Sequence, residues 1–247
     1  MSLMRADKMS RRVVFTALLL FVGVGGTANA AECVVLLHGL IRTSASMEPM
    51  YEALRDEGFD AVNIDYPSRD HTIEKLAPLA VGAGLDGCRA IDDVERIHFV
   101  THSLGGILLR QYLIDNEIPE LGRVVMLGPP NQGSIAVDKL VDVPGFDWMN
   151  GPAGRQLGKG DKSVPLSLGP AKFELGVIAG DRSIDPITSA VLENPDDGRV
   201  SVEDTKLDGM DDFVVVRHSH AFMMRMQLPI KLTIHFLQSG AFNLTND

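Results

Sequence analysis

Thr101-His102-Ser103-Leu104-Gly105-Gly106 is the stretch that decides how this chain folds. It follows the apolar run Ile97 to Thr101 and opens a segment in which Leu104, Ile107, Leu108 and Tyr112 recur at helical spacing, predicting a helix from Leu104 to Asp115. A serine at such a junction sits on a tight, strained turn. The turn lifts its hydroxyl above the carboxyl edge of a sheet, and small residues beside it let strand and helix approach.

Working outward, similar apolar or β-branched runs occur at Val34 to Leu37, Ala61 to Ile64, Arg123 to Leu127, Leu175 to Ala179 and Phe213 to Arg217. They alternate with helical patterns near Ser46 to Glu57, Thr72 to Leu85 and Phe222 to Gln238, the last expected to be begun, kinked or divided at Pro229. Nearly continuous apolar strands alternating with helices predict an α/β fold, a mostly parallel central sheet of about six strands covered on both faces. Asp138 to Ala171 breaks the rhythm with six Gly, four Pro and the chain's one Trp, Trp148, and reads as a long loop, either a lid or acyl-pocket wall or a plain surface excursion.

The 247 residues, 45% of them hydrophobic, suit one globular domain and exclude a disordered chain. A net charge of −10 argues against nucleic acid, because phosphate binding needs clustered Lys and Arg. Two Cys exclude a disulfide-dense scaffold.

Leu36-Leu37-His38-Gly39-Leu40 follows the first strand. Together with the serine turn it resembles the α/β-hydrolase superfamily, specifically bacterial lipases and esterases, through their H-G loop and G-x-S-x-G nucleophile elbow. One position departs, since Thr101 stands where that pattern has its first glycine and adds a Cβ and two further heavy atoms. The resemblance implies an α/β-hydrolase fold with a minimal cap, Ser103 as nucleophile, and the backbone N–H groups of Leu40 and Leu104 as an oxyanion hole. Each such donor is worth about 3 kcal/mol in hydrolases of this kind. His38, Gly39, His102 and Gly105 are motif companions that shape the pocket, and Trp148 offers an apolar wall.

In this fold the acid and then the base follow the serine along the chain. Asn194-Pro195-Asp196-Asp197-Gly198-Arg199-Val200 resembles the D-G-x-V turn of bacterial lipases, which points to Asp197, with Asp181 as the competitor and Asp196 as a solvated turn residue. The base is expected in the loop after the last strand, at His220, with His218 as runner-up. His71, His98 and His235 read as surface or core residues rather than ligands. Gly128 to Ser134 resembles a lipase segment that borders the active site. Asp208, Asp211 and Asp212 lack calcium-ligand spacing and read as solvated acids.

Residues 1–30 carry a basic start (Arg5, Lys8, Arg11, Arg12), an apolar run from Val13 to Val24 and Ala28-Asn29-Ala30, the pattern of a secretory signal peptide cleaved after Ala30. An uncleaved anchor is the alternative. Loss of the leader's +3 leaves a single domain of 217 residues, 31–247, at −13. Export would carry Cys33 and Cys88 into an oxidising compartment, leaving a disulfide and two buried thiols equally open.

These observations lead to an exported serine hydrolase of carboxylic esters, needing no cofactor or metal, with a small-molecule or lipid acyl ester as its partner. The acid surplus gives no electrostatic reason to approach an anionic membrane. Thioesterase, lipid deacylase and acyltransferase chemistry use the same groups, and a non-catalytic binding protein of the same fold is the rival from another class.

Overall fold

In the first strand Val34 and Leu36 point to one face and Val35 and Leu37 to the other, yet all four are fully buried. Only a strand covered on both sides buries both sets. The computed structural model describes residues 31–243, so the signal peptide expected at residues 1–30 lies outside the described residues. Its six strands are β1 (Ala31–Leu37), β2 (Asp60–Ile64), β3 (Val94–His102), β4 (Leu121–Leu127), β5 (Leu175–Gly180) and β6 (Asp212–Val216). All neighbours pair in parallel, in the order β2-β1-β3-β4-β5-β6.

Helices α1 (Glu48–Asp56), α2 (Ile73–Arg89) and α3 (Leu104–Asp115) follow the first three strands. The α2 residues Leu76, Ala80 and Val81 and the α3 residues Ile107 and Leu108 form one core with Val35, Leu37 and Phe99. On the opposite face Met50 and Leu54 of α1 join Leu232 and Phe236 in a second core with Val34, Leu36 and Val100. Cys33 on β1 and Cys88 on α2 are joined in a disulfide that closes 55 residues and ties α2 to the sheet.

Chain order decides where a site can form. The strand after β1 lies on one side of it and β3 on the other, so the connections leave β1 and β3 in opposite directions and open a crevice beyond their carboxyl ends. Leu37 pairs with Thr101 across those ends. The H-G loop and the serine turn therefore emerge side by side.

Two local expectations change. Asp138 to Ala171 is not a plain loop: it holds the end of α4 (Ile135–Leu140), then α5 (Phe146–Arg155) and α6 (Val164–Ser167). These short helices are anchored by Arg110 of α3, whose buried guanidinium donates to the Asn131 Oδ1 and carbonyl and to the Pro165 and Gly169 carbonyls at 2.8–3.2 Å. Burial pushes its pKa down to about 10. Two further short helices, α7 (Pro186–Ser189) and α8 (Val202–Thr205), frame the Asp197 turn. The last helix, α9 (Gln227–Ser239), begins later than Phe222, after a 3₁₀ turn at Met223–Arg225. Pro229 falls in its first turn, where a missing N–H costs no helical hydrogen bond. Among the described residues no helix is long and apolar enough to cross a membrane.

Candidate active site

Ser103 adopts φ 52° and ψ −117°, a left-handed-side conformation that a non-glycine residue holds at a cost of order 1–3 kcal/mol. Its N–H donates to the Leu127 carbonyl at 2.9 Å and its carbonyl accepts from Gly106 N–H at 3.1 Å, which pins the turn between β4 and α3. Gly105 makes the close approach possible, because a Cβ there would lie 2.6 Å from the Leu37 carbonyl oxygen. Thr101 also finds its room. Its fully buried side chain lies beside Gly106, where an added Cβ would sit 3.1 Å from Thr101 Oγ1, so the second glycine after the serine's neighbour accommodates the bulk two positions before it.

The Asp197 carboxylate is buried and held from both ends. Oδ1 accepts the backbone N–H groups of Arg199 and Val200 at 2.9 and 2.8 Å, while Oδ2 lies 2.7 Å from His220 Nδ1. His220 N–H donates to the Asp197 carbonyl at 2.9 Å, fixing the backbone of the pair as well. Gly128 borders both side chains, and at φ 55° any Cβ would lie 3.0 Å from Asp197 Oδ2 and 3.1 Å from His220 Nδ1. Asp181 is not part of this arrangement; its only ion-pair partner among the described residues is Arg182, at 3.9 Å. His218 makes no side-chain hydrogen bond among them either. Asp196 corrects the expectation of a solvated residue: it is 3% exposed, and its Oδ1 accepts from Ser189 Oγ at 2.6 Å and Gly198 N–H at 2.7 Å, bracing the turn. Asp211 and Asp212 are likewise not merely solvated, since they accept the backbone N–H groups of Leu175 and Phe242 at 2.7 and 2.6 Å.

His102 and His38 support this geometry. His102 Nε2 lies 3.0 Å from the His220 carbonyl, which only accepts, so this nitrogen carries the proton. The two rings pack with centroids 4.7 Å apart. Burial first, then the nearby His220 and Arg42, holds His102 well below the ordinary histidine pKa, so it is neutral. His38 stacks on Tyr66 at 4.0 Å, accepts the Tyr66 N–H and hydrogen-bonds Gly39 O, shaping the loop that carries Leu40. Leu104 opens α3, where the first N–H groups have no helical acceptor, and Leu40 lines the same crevice.

Ser103, His102 and His220 open into one cleft of about 810 Å³. Much of its wall comes from the cap, including Val137, Leu140, Phe146, Trp148, Met149 and Leu157. Trp148 is 81% exposed, so it forms the rim rather than the floor. Ser103 and His220 share no hydrogen bond among the described residues, and contacts of this kind are often long in a structure without a bound ligand. Sequence reasoning missed Arg42 and Arg199, which also line the cleft, and the cap anchor Arg110. An arginine inside the apolar face of a helix was the available signal for Arg110.

Burial lowers the proton affinity of His38, His98 and His102 alike. The unfolded chain protonates these histidines near 6.5, so below that pH it binds more protons than the folded chain and stability falls as pH falls. The limiting slope is about 1.4 kcal/mol per pH unit for each histidine. Urea midpoints measured from pH 7.5 to 5 should decline, and His98→Gln should flatten the decline; a flat wild-type profile contradicts neutral burial.

A parallel sheet with a strained serine after β3 and an acid–histidine pair beyond the later strands is the architecture of an α/β-hydrolase. The sequence pattern of the alpha/beta hydrolase family matches residues 34–228, and the chain belongs to that family. A search of curated protein sequences finds no relative. Among solved structures the fold is similar to Bacillus licheniformis lipase BlEst2 in mature form (TM-score 0.70, 19% identity, 84% of this chain and 92% of that one). It is also similar to phospholipase PlaB from Legionella pneumophila (TM-score 0.68, 18% identity, 86% of this chain), of which it spans 61%. A third is a thermophilic esterase from Thermogutta terrifontis (TM-score 0.54, 15% identity, 85% and 91%).

Proposed function

We propose that this protein is a serine hydrolase that cleaves carboxylic esters through an acyl-enzyme on Ser103. The observation that carries the proposal is the buried Asp197–His220 pair, at 2.7 Å, opening with the strained Ser103 into one largely apolar cleft. His220 takes the hydroxyl proton as Ser103 Oγ bonds to the acyl carbon, and Asp197 orients and stabilises the imidazolium. The Leu40 and Leu104 N–H groups stabilise the oxyanion. As the acyl–oxygen bond breaks, the imidazolium gives its proton to the departing alkoxide, releasing the alcohol. Water then adds to the acyl-enzyme with His220 again as base, freeing the carboxylic acid and restoring Ser103.

The apolar cap wall supports an ester with a hydrocarbon acyl chain. Lipases and an esterase among the similar folds agree with that class. Each methylene buried contributes about 0.8 kcal/mol, about fourfold in kcat/KM when realised in the transition state. Across p-nitrophenyl acetate, propionate and butyrate kcat/KM should therefore rise by up to that factor per carbon; absence of turnover on all three, alongside a thioester and an amide, overturns the proposal. We further infer export, supported by the leader pattern and by the Cys33–Cys88 disulfide, which persists in oxidising compartments.

A further inference from the structure

The charges around the cleft are one-sided. Among the described residues no Asp or Glu lines it, and the two Lys or Arg side chains that do are Arg42 and Arg199. Arg199 is already engaged, with Nη2 3.3 Å from Asp185 Oδ2 and Nη1 3.3 Å from Thr188 Oγ1. Arg42 has no carboxylate partner among the described residues; its single hydrogen bond is a long one, from Nη2 to the Ala221 carbonyl at 3.4 Å. On a chain with ten more acidic than basic residues, this exposed guanidinium lines the cleft that holds Ser103 and His220 with no acid to neutralise it among the described residues.

Its position indicates which part of a substrate it meets. Ala221 follows His220, and the base that protonates the leaving oxygen must sit on the side of the departing alcohol. Arg42 reaches that same side. The part of the wall built by the cap is apolar and suited to the acyl chain.

We propose that Arg42 is a substrate-selecting residue that binds an anion, phosphate or carboxylate, on the alcohol portion of the ester. This inference rests on the ester-hydrolase reading of Ser103. A guanidinium presents paired N–H donors in a fork that matches either anion, and such charge-assisted bonds are about twice as strong as neutral ones. A lysine keeps the charge without the fork.

The test compares substrate pairs that differ in that anion. One pair is 4-carboxyphenyl butyrate against 4-carbamoylphenyl butyrate; the other is 1-octanoylglycerol 3-phosphate against 1-octanoylglycerol, so the two arms separate carboxylate from phosphate recognition. The readout is the ratio of kcat/KM, anionic over neutral, in wild type, Arg42→Gln and Arg42→Lys. In at least one pair the ratio should fall about ten- to hundredfold in Arg42→Gln and less in Arg42→Lys, and in wild type it should fall as salt rises. A purely structural role for Arg42 would lower both members of a pair together, and unchanged ratios in both pairs overturn the inference. Calorimetric titration with octyl phosphate and octanoate supplies a readout free of catalysis. Arg42-dependent binding of either without hydrolysis of any ester would refute the hydrolase reading and keep the anion site, whereas hydrolysis without Arg42-dependent ratios or binding would do the reverse.

Discussion

Asp197→Asn should lower kcat by about 10⁴-fold, the scale seen when the triad acid of a serine hydrolase becomes an amide with its geometry intact. The carboxylate does two things an amide cannot: it accepts the proton-bearing His220 Nδ1 while Oδ1 accepts two backbone N–H groups, and it stabilises the imidazolium. An asparagine that keeps the Arg199 and Val200 contacts through its carbonyl presents its NH₂ to His220 and selects the wrong tautomer. Asp181→Asn should stay close to wild type, because among the described residues Asp181 shares no hydrogen bond or ion pair with His220, which pairs with Asp197 instead. If the two variants exchange these results, the acid is Asp181.

Ser103→Ala should cost more, about 10⁶-fold in kcat, leaving only what binding and the oxyanion donors contribute. Stability should move the other way or not at all. The hydroxyl makes no hydrogen bond among the described residues, while the positive φ is as unfavourable for alanine as for serine. Ser103→Gly isolates the strain: it removes the hydroxyl and relaxes the backbone, so it should be as inactive as alanine and more stable, by about 1 kcal/mol. A Ser103→Ala protein that keeps a tenth of wild-type turnover contradicts the nucleophile assignment.

What was legible in the sequence was whatever is local. The inner strands were readable because their doubly covered stretches are apolar on both faces, the edge strands β2 and β6 because their short runs are rich in apolar and β-branched residues though only partly buried, and the α3 limits because the serine turn ends β3 and the apolar spacing ends near Asp115. Candidate residues at β-strand ends were legible for the same reason, as motifs bound to short chain segments. Contacts between distant segments were not. Nothing in one sequence says that Thr101 is accommodated at Gly106, that Asp196 is drawn inward by Ser189, or that Arg110 ties α3 to carbonyls some 55 and 59 residues away. The Gly- and Pro-rich stretch from Asp138 looked like a loop because its helices are of one to three turns and punctuated, with Gly151 at φ 63° inside α5. The Cys33–Cys88 pairing depended on the distance between a strand and the far end of a helix, a quantity that spacing alone does not supply.

The central claim is that Ser103 is an activated nucleophile. Incubating the purified protein with a fluorophosphonate and measuring intact mass and the modified peptide tests it directly, since phosphonylation needs the serine activated by its base and oxyanion donors but no knowledge of the natural substrate. One adduct per chain, on Ser103, absent from folded Ser103→Ala and strongly slowed in Asp197→Asn, is the predicted result. A folded wild-type protein that remains unlabelled, or is labelled at another residue, would contradict it.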